Sequence, residues 1–304
     1  MSLSADIIVD RRRLKRSLTI WRIIAVVAVV AAAVAAAGRF DLPIRKDHVA
    51  RIDVEGLILE DPARDEALRE LAEDDKAKAL IVAVNSPGGT YVGGENLYLE
   101  LRAVAEKKPV VAVMGGTATS AAYMVAIASD RVFARSGSLT GSIGVIMQTA
   151  DVTGLMEKIG IKPETIKSGP MKAQPNPMEP FTPEARAVTE EMIEEFYGMF
   201  VDMIVERRGL DSSKVRELAD GRLFSGRRAK TLGLIDAIGA EDTARKWLAD
   251  EHDISEDLPI ADVDIEYDDE PWREYLGETL GKALFSERLR LDGVISLWQP
   301  ERWF

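Results

Sequence analysis

The chain has 304 residues, 46% of them apolar and 30% charged, which is the balance of a globular protein with room for a sizeable core. It contains no cysteine, so a disulfide framework, a thiolate nucleophile and a zinc–thiolate site are excluded. The formal net charge of −12 hides an asymmetry: residues 1–22 are basic and the rest is strongly acidic, which argues against binding a phosphate backbone. The first predicted element is the apolar run from Leu18 to Gly38, broken only by Arg22 near its start. At about 1.5 Å per residue it is long enough to cross a hydrocarbon core of about 30 Å, and Arg22 can snorkel to the interface. Arg11, Arg12, Arg13, Lys15 and Arg16 precede it, so the positive-inside rule keeps residues 1–17 in the cytoplasm and places the body outside. The expectation is one retained transmembrane signal anchor. A cleaved signal peptide is the alternative, because Ala35-Ala36-Ala37-Gly38 has the look of a cleavage site.

After a linker over residues 39–48 the pattern alternates strand and helix. Arg51-Ile52-Asp53-Val54-Glu55 reads as a half-buried strand, and Asp61-Pro62 as a helix start. Leu80-Ile81-Val82-Ala83-Val84 is an apolar run of strand length, suited to a parallel strand covered on both faces, and Asn85-Ser86-Pro87-Gly88-Gly89 is expected to end it. A helix is predicted over Glu95–Glu106 and a strand over Pro109–Met114. After Gly115-Gly116 a helix follows near Ser120–Ser129, and a short strand spans Arg131–Ala134. Ser168 to Pro180 holds four prolines and should be an irregular loop, and Thr182-Pro183 opens a long helix toward Arg208. Residues 250–270 carry eleven acids and no Lys or Arg, and are expected to be exposed. The chain then closes on an aromatic stretch that includes Trp298, Trp303 and Phe304. The domain division is a peptidase-like α/β domain over 49–248 and an acidic, aromatic extension over 249–304.

Three segments carry the chemistry. The glycines of Asn85–Gly89 permit unusual backbone angles, and their N–H groups can serve an oxyanion hole. Ser120 follows a strand and a small-residue turn and stands at a helix start, a recurring way to present a nucleophile; the bland alternative is an N-cap. Lys172 lies in the proline-rich loop among Pro, Met, Ala and Gln. The chain has two histidines, His48 and His252, both remote in sequence from Ser120, so lysine is the better supported base.

These segments resemble the signal peptide peptidase A family, the S49 serine proteases. The matching motifs are Asn85–Gly89, Ser120–Tyr123, Thr140-Gly141-Ser142-Ile143-Gly144-Val145 and Ser168–Lys172. Asp220-Gly221-Arg222, Ser225–Ala229 and Gly233–Asp236 extend the match. The resemblance implies an α/β fold of the crotonase and Clp-protease type, a spiral of ββα units, here preceded by one N-terminal transmembrane helix. It further implies a membrane-bound serine endopeptidase with no cofactor and no metal. Its catalytic dyad would be Ser120 and Lys172, with Ser142 holding the lysine and the backbone N–H groups of Gly88, Gly89 and Ala121 binding the oxyanion. The expected substrates are hydrophobic membrane-associated peptides such as cleaved signal peptides. The expected partners are copies of the same chain that share active sites, and no nucleic acid. The expected place is the inner membrane with the catalytic domain outside the cytoplasm.

The family usually has Ser-Gly-Gly-Tyr where this chain has Ser120-Ala121-Ala122-Tyr123. Alanine is harmless if residue 121 is helical and costly if it needs a positive φ; the helical case is expected. A catalytically impaired membrane scaffold is the alternative function that these alanines raise. An acyl-CoA enzyme on the same fold is a third reading, disfavoured by the Ser/Lys pairing and the anchor.

Overall fold

The computed structural model describes residues 20–29, 46–267 and 295–297, the last as backbone. The chain divides into two units, residues 1–46 and 47–304. In the first unit, residues 20–29 are helical and exposed. Among the described residues no helix is long and apolar enough to cross a membrane. Most of the expected anchor, residues 18–38, lies outside the described residues.

The second unit is an α/β domain. Its first half runs β1 (His48–Ile58), α1 (Pro62–Glu73), β2 (Ala77–Thr90), α2 (Tyr91–Ala105), β3 (Val110–Thr119), α3 (Ala121–Ile127), β4 (Arg131–Ala134) and β5 (Leu139–Gly141). Then come α4 (Thr153–Lys158), α5 (Pro183–Arg208), α6 (Ser212–Leu218), β6 (Leu223–Ser225), α7 (Gly226–Leu232), β7 (Ala237–Ile238), α8 (Glu241–His252), β8 (Ile260–Asp262) and β9 (Ile295–Leu297). One sheet takes the order β6-β5-β3-β2-β1-β8, with β4 joining β3 to β7 and β9 added to β2. The β1–β2, β2–β3, β3–β4 and β3–β5 pairs are parallel, whereas β5–β6 and β2–β9 are antiparallel.

The apolar runs of β2 and β3 are continuous because both faces of the sheet are covered. Leu80, Val82 and Val84 of β2, with Val110, Ala112 and Met114 of β3, enter a large core with residues of α2, α3 and α5. The alternate residues Ala79, Ile81 and Val111 enter a second core with Ala244 and Leu248 of α8. Each fully buried Val, Leu or Ile contributes about 1.5–3 kcal/mol relative to exposure, so this central pair of strands anchors the domain.

Local chemistry sets the helix starts. The Asp61 carboxylate accepts from Arg64 N–H at 3.1 Å, and Pro62 fills the first helical position of α1. Thr182 Oγ1 accepts from Ala185 N–H at 3.2 Å to open α5, and Gly209 closes that helix with a left-handed φ of 61°.

Two expected boundaries move. β2 does not stop at Asn85. It continues through Pro87 to Thr90, because Leu57 and Ile58 of β1 keep pairing with Gly88 and Gly89. Gly89 passes so close to β1 that a Cβ there would lie 1.9 Å from the Ile58 carbonyl oxygen. Helix α2 also begins earlier than expected, at Tyr91, since Thr90 Oγ1 accepts from Gly93 N–H at 3.1 Å and supplies the cap. The acidic segment differs from expectation as well. Its described acids, Asp250 to Glu266, are exposed, but Ile260–Asp262 adds to β1 as a parallel edge strand and Ile254 is buried.

Candidate active site

The site forms where two strands part company with their neighbours. The first half of β3, Val111–Met114, pairs with β4, and its last three residues, Thr117–Thr119, pair with β5. Between them Asn85 Oδ1 accepts from Thr117 N–H at 3.2 Å, which ties the bend in β3 to β2. Thr119 Oγ1 donates to the Pro87 carbonyl at 3.1 Å. Within the same stretch of β2 Ser86 Oγ donates to Gly56 O at 2.6 Å and accepts from Gly88 N–H at 3.0 Å. The polar side chains of Asn-Ser-Pro-Gly-Gly thus hold backbone to backbone and set the shape of the rim.

Ser120 follows directly on β3. Its φ and ψ are 58° and −123°, a region that non-glycine residues rarely occupy and that costs of the order of 1–3 kcal/mol. The surroundings over-determine this conformation. Ser120 N–H donates to Gly141 O at 2.8 Å, and Ser120 O accepts from Tyr123 and Met124 N–H at 2.9 and 3.1 Å. Helix α3 behind it is entirely buried. Ser120 stands in the N-cap position, yet its side chain makes no capping hydrogen bond. That removes the bland reading of this serine. A strained serine on a strand-to-helix turn is how α/β hydrolases present a nucleophile.

Ala121 is the first residue of α3, and the positive φ falls on the serine before it, not on the alanine. As a first-turn residue its N–H has no acceptor within the helix. Its methyl group packs against α2: a Cβ built on Gly94 would lie 2.8 Å from Ala121 Cβ. Glycine at 94 is therefore the space into which Ala121 fits. Tyr123, fully buried, donates through its hydroxyl to Leu234 O at 2.8 Å, and burial pushes its phenol pKa up. The same Gly-Leu-Ile-Asp segment carries Asp236, which accepts from Val132 N–H at 2.8 Å and from Arg208 through both oxygens at 2.9 and 3.1 Å. These bonds fix α3 to β4 and α5.

Ser142 also has a positive φ, 48°, and its N–H donates to Arg222 O at 2.8 Å. Ser120 and Ser142 open into one cavity of approximately 420 Å³. Ile143, Val145 and Ile146 form one wall; Ile193, Glu194 and Tyr197 of α5 form another; Ala219, Asp220 and Gly221 close it. Arg222 donates to Asp220 at 2.7 Å and holds that carboxyl below its usual range. An adjoining cavity of approximately 470 Å³ shares Val145, Ile146, Ile193 and Glu194 and extends to Phe181 and Arg186. The contribution of α5 to these walls was not readable from the sequence, because only the fold brings residues 193–197 opposite residue 120.

Lys172 is placed elsewhere. It is exposed, in a turn of the irregular loop, and is not among the residues lining the Ser120 cavity. The loop is closed by Glu179, which accepts from Lys167 Nζ and from Gln174 Nε2. The segment around it carries large apolar side chains in the open: Leu155 (61% exposed), Ile159 (62%), Ile166 (95%) and Met178 (57%). Neither His48 nor His252 lines the cavity. Among the described residues no group of three or more His, Cys, Asp or Glu side chains is placed to hold a metal ion.

The elbow and its cavity define a protein of the serine hydrolase class. Comparison with known proteins narrows the class. Residues 102–255 match the model of peptidase family S49. The Synechocystis protein slr0021, which carries a provisional protease name, is 38% identical over 206 residues, covering 67% of this chain and 74% of that one. The chloroplastic serine protease SPPA of Arabidopsis thaliana is 36% identical over 57% of this chain and 26% of its own length. Protease 4 of Salmonella typhi is 32% identical over 58% and 29%. Among solved structures, a point mutant of ClpP1 from Listeria monocytogenes superposes with a TM-score of 0.43 at 17% identity, over 63% of this chain and 91% of that one. The chain belongs to peptidase family S49 and is a serine-type protease.

Proposed function

We propose that this protein is a membrane-anchored endopeptidase whose nucleophile is Ser120 and whose general base is Lys172. Ser120 Oγ attacks the scissile carbonyl carbon while its proton passes to Lys172 Nζ. The oxyanion is held by the Ala121 N–H and an amide of the Gly88–Gly89 stretch of β2. Collapse expels the amine, which takes the proton from Lys172, and a water activated by the same lysine then hydrolyses the acyl ester. Ser142, across the cavity, orients the lysine. The observation that carries this reading is the strained Ser120, which does not cap its helix and opens into an apolar-walled cavity beside Ser142. The helical geometry of Ala121 speaks against the silent-scaffold alternative.

A neutral lysine is needed, and an unperturbed one near 10.4 is neutral in roughly 1 part in 2,500 at pH 7. Lys172 must therefore be desolvated by something that covers it. The exposed apolar side chains of the same segment suit a second copy of the chain, which would bring its own Ser120 cavity against this Lys172. The anchor expected over residues 18–38 would hold this assembly on the outer side of the inner membrane. There the apolar walls suit hydrophobic peptides such as cleaved signal peptides.

The test is a peptidase assay on apolar peptides with Ser120→Ala and Lys172→Ala. Each is expected to lower kcat/KM by at least ~10³-fold, as removal of a nucleophile or its base does. Unchanged cleavage by either variant would reject the assignment.

A further inference from the structure

We propose that Met171 and Met178 form an oxidation site through which a hydroperoxide switches the protein off, by converting their thioethers to sulfoxides in the loop that carries Lys172; the proposal rests on Lys172 being the base of the active site. The chain has no cysteine, so methionine is its only carrier of oxidisable sulfur. The described methionines are not placed alike. Met114 and Met124 are fully buried, and Met156 is 9% exposed. Met199 and Met203 pack against the main core, Met147 lines the cavity next to that of Ser120, and Met192 is half-buried. Among the described methionines only Met171 and Met178 are exposed, by 42% and 57%. Susceptibility of methionine to oxidation follows exposure, so the reactive sulfur of this domain is concentrated in one loop.

Both residues flank a group on which that loop depends. Met171 precedes Lys172, and its carbonyl accepts from Gln174 N–H at 3.2 Å. Met178 precedes Glu179, the carboxylate that closes the loop, and its own N–H donates to Asn176 Oδ1 at 3.0 Å. With Ile159 and Ile166 they are among the exposed apolar side chains of the segment that another copy must cover to take Lys172 out of water. The chemistry is a two-electron oxidation. A sulfur lone pair forms an S–O bond to the terminal peroxide oxygen as the O–O bond breaks. The proton on that oxygen passes to the departing one, which leaves as water or an alcohol. Sulfur is oxidised and the peroxide is reduced. The sulfoxide is polar, and it disrupts apolar contacts that the thioether makes. Covering the loop then buries an S=O group without a partner, so the loop stays open and Lys172 stays solvated. Methionine sulfoxide reductases restore the thioether with electrons from a dithiol, which makes the block reversible.

The experiment treats the full chain with graded hydrogen peroxide, maps sulfoxides by peptide mass spectrometry and assays cleavage of an apolar peptide in parallel. Met171 and Met178 should oxidise at least ~10-fold faster than Met114 and Met124, because the latter two are buried. Cleavage should fall at least ~10-fold as both sulfoxides form, the effect of burying one unpaired polar group. It should return on treatment with methionine sulfoxide reductases and dithiothreitol. Met171→Leu with Met178→Leu keeps the apolar surface and should cleave normally and resist peroxide. Met171→Gln with Met178→Gln should be slow without any peroxide. Oxidation of the pair no faster than of Met114 and Met124 would overturn the proposal. So would full activity with both sulfoxides in place, or a leucine variant as sensitive as the wild type. The mapping needs no turnover and is repeated in the Lys172→Ala background. If Lys172→Ala cleaves like the wild type, the catalytic reading fails. If Lys172→Ala is inactive while the doubly oxidised wild type is fully active, the oxidation proposal fails alone.

Discussion

The two halves of the proposed dyad sit in opposite environments. Ser120 is 1% exposed, backed by a helix with every residue buried, and pinned in a strained conformation by hydrogen bonds with β5 and its own helix. Lys172 is exposed and lies in a loop with neither helix nor strand, tied by Glu179 and by backbone bonds such as Lys172 N–H to Gly169 O at 3.2 Å. The core of a single subunit shapes the proposed nucleophile and leaves the proposed base in solvent. In the proposed dyad a second subunit covers the loop.

The largest effect comes from mixing the two inactive variants. If each site takes Ser120 from one subunit and Lys172 from its neighbour, co-assembled Ser120→Ala and Lys172→Ala chains contain some sites with both groups intact. In a ring with random mixing about one quarter of the sites recover. The same mixture stays inactive if both groups come from one chain. Peptide hydrolysis by the co-expressed mixture, compared with each variant alone, decides between the two.

The nucleophile side is tested by its packing. Gly94→Ala places a methyl against Ala121 Cβ, and overpacking of this kind costs about 1–3 kcal/mol. The push falls on the first residue of α3, so kcat should drop beyond what the loss of stability explains. Adding Ala121→Gly restores the space. The double variant should regain most of the wild-type Tm and kcat in a coupled, non-additive way. Additive losses would mean that the Gly94–Ala121 contact does not set the elbow.

Much of this contrast was legible in the sequence and part of it was not. The buried strands announced themselves through continuous apolar runs, and α5 was read from Thr182 to Arg208 because its cap and closing glycine are local signals. Ser120, Ser142 and the Asn85–Gly89 segment were singled out by their motifs, and the structure brings Ser120 and Ser142 to one cavity. The continuation of β2 through Pro87 to Thr90 was missed because glycine and proline read locally as a turn, whereas here the pairing of β1 overrides them. β8 was missed because its apolar residues are interleaved with acids, and summed charge hid the alternation. That Lys172 does not line the cavity follows from tertiary placement, which no local pattern encodes.

The smallest predicted effect concerns the loop itself. The hydrogen bond from Lys167 holds the Glu179 carboxyl below its ordinary value of 4.5. A depressed carboxylate pKa contributes order that is complete above the ordinary value and disappears as pH falls through the lower, folded one. Glu179→Gln removes the charge at all pH values. Because the chain has no cysteine, a spin label on Lys172→Cys reports on this loop alone. At neutral pH the label should be more mobile in the Glu179→Gln background, with the overall Tm close to that of the parent, as for other surface substitutions. In the Glu179 parent the mobility should rise only in acid, below 4.5, and the glutamine variant should show no such step. Identical label mobility in both backgrounds would show that Glu179 does not hold the loop. The order of the loop would then rest on its backbone bonds, such as Val152 N–H to Pro177 O at 3.0 Å.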